Sequence, residues 1–173
     1  MIQIIPTDTC YGLAGDVYSP EDYHEIYRLK GREFDKRLAL LVSDWDMLCK
    51  YSEITDVQID FLRNYPHPWS IILKRRDTFI LPDFLDRTKY SNISFRVASV
   101  CLPPTLLEIL PHFPLFLTSA NLSGHSESTT FAGAISCFPG VEGYDGGVCD
   151  QPPSDIFSIG ADGELQYVRR NYS

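Results

Sequence analysis

Ile4-Ile5-Pro6-Thr7-Asp8-Thr9-Cys10-Tyr11-Gly12-Leu13-Ala14-Gly15 stands almost at the start of the chain. Ile4-Ile5 reads as the end of a buried strand. Pro6 stops the ladder, because it has no N–H to donate. Thr7, Asp8 and Thr9 then offer three short polar side chains in a row. Gly12 and Gly15 permit tight turns or a close backbone approach by a ligand. A polar, glycine-bearing loop at a strand end is a usual place for a ligand site, and also for an ordinary turn.

Outward from this stretch, strand-like and helix-like segments alternate. Residues 2–6 read as a strand. Ser19-Pro20-Glu21-Asp22 is a helix start, with Ser as N-cap, Pro at the first helical position and acids in the first turn. Tyr23, Ile26 and Tyr27 give that helix an apolar stripe, and Gly31 is its stop. Leu38–Val42 is a short buried strand. Ser43-Asp44 and Thr55-Asp56 cap two short helices. Trp69–Lys74 and Ile93–Val97 read as strands, Pro104–Leu110 as a helix, and Leu115–Leu117 as a strand entering Thr118-Ser119-Ala120-Asn121. Thr130 caps a helix through Ile135. Strands near Ile156–Ile159 and Leu165–Val168 flank the turn Gly160-Ala161-Asp162-Gly163. The long loop Arg75–Asn92 is placed to cover a site. This order predicts an α/β fold with a mixed sheet, in one domain over 1–173.

The net charge of −8 argues against a large nucleic-acid footprint, which needs a basic face. No apolar run approaches the ~18 residues of a membrane span. The first residues carry no basic stretch and no cleavage site, so no signal peptide is expected. The five cysteines are widely spaced and form no CxxC pair. They read as free thiols of a reducing cytoplasm. Cys10 has no basic neighbour in sequence and reads as a small buried residue rather than a nucleophile. His24 reads as a solvated helix residue, His67 and His112 as loop residues beside prolines, and no His–Cys spacing suggests a metal.

Four places could carry chemistry. Thr7-Asp8-Thr9 is the first. Lys30-Gly31-Arg32, followed by Lys36 and Arg37, could neutralise a polyphosphate, or merely complement a helix C-terminus. Thr118 to Gly124 can donate several hydrogen bonds to a small anion, or be a plain turn. Arg96, inside an apolar strand, must face a ligand or a cross-strand carboxylate. Lys74-Arg75-Arg76 reads as a solvated strand end without the aromatics of an RNA platform. Neither a Walker loop nor GxGxxG is present.

Pro6–Leu13, Lys30-Gly31-Arg32 and Pro114–Gly124 together resemble the YrdC/Sua5 family in order and approximate spacing. The family's K-x-R motif and distant S-x-N motif are intact as Lys30/Arg32 and Ser119/Asn121. The resemblance implies a twisted mixed sheet curved around a concave basic cavity, with helices outside. It implies a threonylcarbamoyl-AMP synthase, which joins L-threonine, bicarbonate and ATP, with Mg²⁺ on the phosphates, and releases pyrophosphate. The product serves t6A modification of tRNA through partner proteins, without strong direct nucleic-acid binding or a membrane. By the same resemblance Lys30, Arg32, Ser119 and Asn121 are catalytic. Thr7, Thr9, Arg96 and Ser154 bind substrate, and Lys36, Thr129 and Arg169 bind ATP.

Several positions depart from the family pattern. P-G-P-x-T reads Pro66-His67-Pro68-Trp69-Ser70, and K-P-L reads Lys36-Arg37-Leu38. R-V-P reads Arg96-Val97-Ala98, and S-T reads Ser154-Asp155, which puts an acid near an anion site. The helix that usually precedes the first strand is missing, which would leave the sheet there uncovered or filled by a partner chain. Two rival readings are a paralogue that binds nucleotide or adenylates another carbamoyl compound and a non-catalytic RNA-binding module. The intact motifs weigh against the first and the acidic balance against the second.

Overall fold

The computed structural model describes residues 1–110 and 113–172, so His112 lies outside the described residues. The opening stretch is a hairpin: strand β1 (Gln3–Pro6) pairs antiparallel with β2 (Tyr11–Asp16), Pro6 opposite Tyr11. The sequence reading found β1 and its stop at Pro6 but not β2. Its glycines are strand residues because their neighbours leave no room for a side chain. A Cβ on Gly12 would lie 2.8 Å from Leu117 Cδ1 and 3.2 Å from the Thr118 carbonyl.

The other strands are β3 (Ala39–Val42), β4 (Trp69–Lys74), β5 (Asn92–Val97), β6 (Leu115–Ser119), β7 (Asp155–Ile159) and β8 (Leu165–Arg169). All eight form one sheet in the order β1-β2-β6-β3-β5-β4-β7-β8. The β3–β5 and β4–β7 pairs are parallel and the other five antiparallel, so the sheet is mixed as expected. The helices are α1 (Pro20–Lys30), α2 (Trp45–Tyr51), α3 (Asp56–Asn64), α4 (Ala98–Cys101), α5 (Pro104–Ile109) and α6 (Phe131–Cys137). No helix among the described residues is long and apolar enough to cross a membrane.

Side chains alternate across the sheet, and this places the site. Ile4, Leu13, Leu40, Ile71, Phe95, Phe116 and Phe157 form one face and pack with Ile26, Leu48, Ile59, Leu62 and Ala134 of α1, α2, α3 and α6. On the opposite face α4, α5 and the turns after them cover only one end, through Ala98, Leu102, Leu106 and Leu110 on Ile5, Ala14, Leu41 and Leu115. Four helices are therefore outside, and α4 and α5 share the inner face with a cavity.

Three details differ from expectation. The β1 edge is covered by the chain itself: Ile4 N donates to Glu142 O at 2.8 Å, and Tyr144 N to Ile4 O at 2.9 Å. The 75–92 loop buries Phe79, Leu81 and Leu85 in the core, and only its end, through Tyr90 and Asn92, reaches the cavity. Lys74 is exposed and paired with Glu53, but Arg75 and Arg76 turn back to backbone carbonyls of Phe79, Cys49 and Ser52.

Candidate active site

A cavity of about 590 Å³ occupies the open part of the inner face. The sheet registers build its floor. Gly12 lies opposite Ser119, Ala39 opposite Leu117, Ile72 opposite Ser94 and Ser70 opposite Ile156. Five cations, Arg32, Lys36, Arg37, Arg96 and Arg169, line it against two carboxylates, Asp35 and Glu127. A basic cavity thus sits inside a chain of net charge −8. Its volume is within the range of small-molecule sites.

Helix α1 positions one wall. Ser19 caps its start, accepting from Asp22 N at 3.1 Å. Gly31 ends it at φ 57, a left-handed conformation that favours glycine. That reversal sends two neighbouring cations in different directions. Arg32 lines the cavity, with Nη1 3.4 Å from Thr118 Oγ1, Nη2 2.9 Å from Arg37 O, and a buried Nε without a partner among the described residues. Lys30 is buried behind the wall. Its Nζ donates to Ser119 O at 2.5 Å and Asn121 O at 2.8 Å, with Asn121 Oδ1 at 3.4 Å. Burial first, then the Arg32 charge, pulls the Lys30 pKa from 10.5 down to about 8. Asn121 is also buried, and its Nδ2 donates to Leu122 O and His125 O. K-x-R and S-x-N therefore meet in space, but through Lys30 holding the backbone of the Ser119–Asn121 turn.

The Thr7–Cys10 turn forms the opposite wall. Thr7 Oγ1 donates to Cys10 O at 2.7 Å, accepts from Thr9 N and Cys10 N, both at 3.3 Å, and lies 3.2 Å from Thr9 Oγ1; both threonines line the cavity. Asp8, between them, faces away and holds Arg96. Both its oxygens accept from Arg96 Nη2, at 2.8 and 3.0 Å, and Arg96 Nε donates to Trp69 O at 3.2 Å. The bonds of Arg96 among the described residues run through Nε and Nη2, and none through Nη1. Both readings of Arg96 meet here: a carboxylate from another strand end fixes it, and it lines the cavity. It also lines a second cavity of about 350 Å³ beside Trp45, Trp69 and His67. Burial above all pushes the Cys10 thiol up to about 12, as suits a residue that is not a nucleophile.

Of the residues named from sequence, Thr7, Thr9, Arg32, Lys36, Arg96, Ser119, Ser154 and Arg169 reach the lining, and Lys30, Asn121 and Thr129 do not. Thr129 is exposed. Ser154 Oγ lies 3.3 Å from Ser70 Oγ and accepts from Arg169 Nη2 at 3.1 Å. Asp155 does not intrude. It points to the other face, where its carboxylate accepts from the Tyr65 hydroxyl and Asn171 N, both at 2.6 Å. Burial works to raise its pKa, but those donors outweigh it and hold it below the usual carboxylate range. His67 stacks on Tyr172 at 3.9 Å, outside the cavity. Arg37 donates to Lys89 O and Asn92 O. Sequence reasoning named Asp8 only within its triplet, without its pairing with Arg96, and missed Asp35, Tyr90 and Glu127. The strict alternation of Thr7-Asp8-Thr9 is the one signal that could have singled out Asp8.

The family profile Sua5_yciO_yrdC, described as “Telomere recombination”, matches residues 1–170. The chain belongs to this family. A relative named putative threonylcarbamoyl-AMP synthase, from Methanocaldococcus jannaschii, is 32% identical over 130 residues, 75% of this chain and 58% of that protein. The crystal structure of E. coli YciO matches with TM-score 0.77 at 23% identity, over 97% of this chain and 82% of that one. P. abyssi Sua5 complexed with L-threonine matches with TM-score 0.74 at 21% identity, over 91% of this chain and 47% of that one. At these identities the two structures bear on the fold alone, which is the α/β fold the sequence resemblance implies. The chain spans little more than half of the M. jannaschii relative and less than half of Sua5.

Proposed function

We propose that this domain is a threonylcarbamoyl-AMP synthase, making threonylcarbamoyl-AMP and pyrophosphate from L-threonine, bicarbonate and ATP. One observation carries the reading: two cationic centres face one cavity at a fixed spacing. Arg37 is tied to Asn92 at the start of β5, and Arg96 is four residues on, roughly 13 Å along an extended strand. Arg96, which shares the cavity lining with Thr7 and Thr9, suits the carboxylate and hydroxyl of threonine. Arg32, Lys36 and Arg37 suit a triphosphate, with Ser119, Ser154 and Arg169 between and around them.

The chemistry needs positioning rather than a protein nucleophile. The threonine amine and bicarbonate give a carbamate and water. A carbamate oxygen attacks the α-phosphorus, and pyrophosphate leaves. Two anions must be held together against their repulsion, and fixed cations do this where charge develops. Lys30 and Asn121 then act by setting the Ser119 turn that the ligands meet. ATP enters as its Mg²⁺ complex, and no cluster of three His, Cys, Asp or Glu among the described residues could hold a metal by itself. The product passes to tRNA-modifying proteins in the cytoplasm. One sheet running from Gln3 to Arg169 supports treating 1–173 as one domain.

The test is to incubate the purified chain with MgATP, bicarbonate and L-threonine and to look for the adenylate by mass spectrometry, with pyrophosphate release alongside. Product that depends on both threonine and bicarbonate is the expected result. ATP binding without product would move the reading to the paralogue.

A further inference from the structure

The cavity's two carboxylates differ in setting. Asp35 is exposed, in the cationic loop between Arg32 and Arg37. Glu127 is half-buried, and its backbone is anchored next door, where Ser128 O accepts from Tyr11 N at 2.8 Å. That bond sets Glu127 beside Cys10, on the turn that carries Thr7, Asp8 and Thr9. After burial, the two charges that act most on the Cys10 thiol are Glu127, which raises its pKa, and Arg96, which lowers it. Glu127, Cys10 and Arg96 line one cavity. The nearest cation to Glu127 is Arg169, with Nη1 at 3.7 Å from Oε1, too long for a hydrogen bond. Lys30, the other cation that acts with it, is occupied by the Ser119–Asn121 turn. A carboxylate offers about four acceptor sites, so Glu127 keeps capacity for a ligand.

We infer that Glu127 receives the ammonium group of an α-amino acid whose carboxylate lies on Arg96, and takes its proton. The inference deepens the proposed function and rests on it. An amino acid is a zwitterion, and its amine attacks only when neutral. The threonine –NH₃⁺ passes one proton to a Glu127 oxygen. The freed lone pair forms the C–N bond to the bicarbonate carbon. The bicarbonate hydroxyl then leaves, with a second nitrogen proton, as water. The products are the carbamate, water and a protonated Glu127, which returns its proton to solvent. With Arg96 on the carboxylate and the Thr7 and Thr9 hydroxyls on the side chain, the cavity reads three points of a β-hydroxy amino acid.

The experiment measures calorimetric affinities of the full chain for L-threonine and for 3-hydroxybutanoate, the same carbon frame without the amine, together with adenylate formation. It compares wild type, Glu127→Gln and Glu127→Asp. A hydrogen bond to a charged group is worth roughly 10–100-fold in affinity. Glu127→Gln is expected to weaken threonine by about that factor, leave 3-hydroxybutanoate unchanged and lower the turnover number, with Glu127→Asp recovering part of each. Equal weakening of both ligands would reduce Glu127 to a neutraliser of Arg169 and overturn the inference. So would full threonine preference and turnover in Glu127→Gln. A wild type that discriminates through Glu127 yet makes no adenylate keeps the amino-acid site and sinks the synthase reading. A wild type that binds no threonine sinks both.

Discussion

The Asp8–Arg96 pair is the contact on which the cavity's geometry depends most directly, and its removal can be worked out in advance. The Arg96 side chain is 8% exposed and that of Asp8 25%. Removing one partner of a buried pair costs about 3–5 kcal/mol, because the other charge is left without compensation. Water reaches Asp8, so the low end applies, about 3 kcal/mol for Asp8→Ala. In a chain of this size each kcal/mol moves the melting temperature by about 2–4 °C, so the expected drop is about 6–12 °C. Arg96→Met with Asp8→Ala removes both desolvation penalties, and the double variant should recover most of the loss. The coupling in the cycle should reach about 2 kcal/mol, as expected for residues in direct contact. Melting by near-UV circular dichroism gives the stability. Threonine affinity reports the second consequence, since Arg96 freed from Asp8 loses its fixed place in the cavity lining. A fall of less than about 3 °C in Asp8→Ala, or additivity in the cycle, would refute the reasoning. Arg96 would then be held by Trp69 O and the sheet alone.

Two further outcomes follow from the same geometry. Lys30 has its folded pKa depressed to about 8 from 10.5, so the unfolded chain binds the extra proton between those values. Stability from this group therefore rises with pH across that window. The stability gap between wild type and Lys30→Met should shift in favour of wild type from pH 8 to 10.5 in urea titrations, and a gap constant with pH would show that Lys30 is not held in a desolvated site. Gly12→Ala would place a methyl 2.8 Å from Leu117 Cδ1 and 3.2 Å from Thr118 O. It is expected to cost about 1–3 kcal/mol by overpacking and to raise threonine KM through the displaced Thr7–Cys10 turn. An unchanged melting temperature would show that Leu117 yields without strain.

What the sequence discloses and what it hides divide along the range of the interactions. Ser19, Gly31, Asp44, Thr55 and Thr130 each end or start a helix by bonds to residues within four positions, and each does so in the structure. Such signals are complete in a short window. The β2 strand was illegible for the opposite reason. Gly12 looks like a turn residue until Leu117, a hundred residues on, is seen to occupy the space a side chain would need. The site follows the same rule. Lys30 reaches oxygens 89 and 91 residues away, and Arg96 a carboxylate 88 residues away. Residue type could mark Lys30 and Arg96 as cations needing partners, but only the sheet order decides which partners. That order turned Lys30 inward, to hold the turn after Ser119 at the cavity's edge, and left Arg32 on the cavity wall. Glu127 carried no local mark at all, lying in a polar run that reads as a loop. It became a candidate only when the Tyr11–Ser128 bond set it against Cys10, inside a cavity whose other fixed charges are mostly positive. A half-buried anion in such a place must offset its neighbours or meet a cationic ligand group, and the 3.7 Å separation from Arg169 favours the ligand.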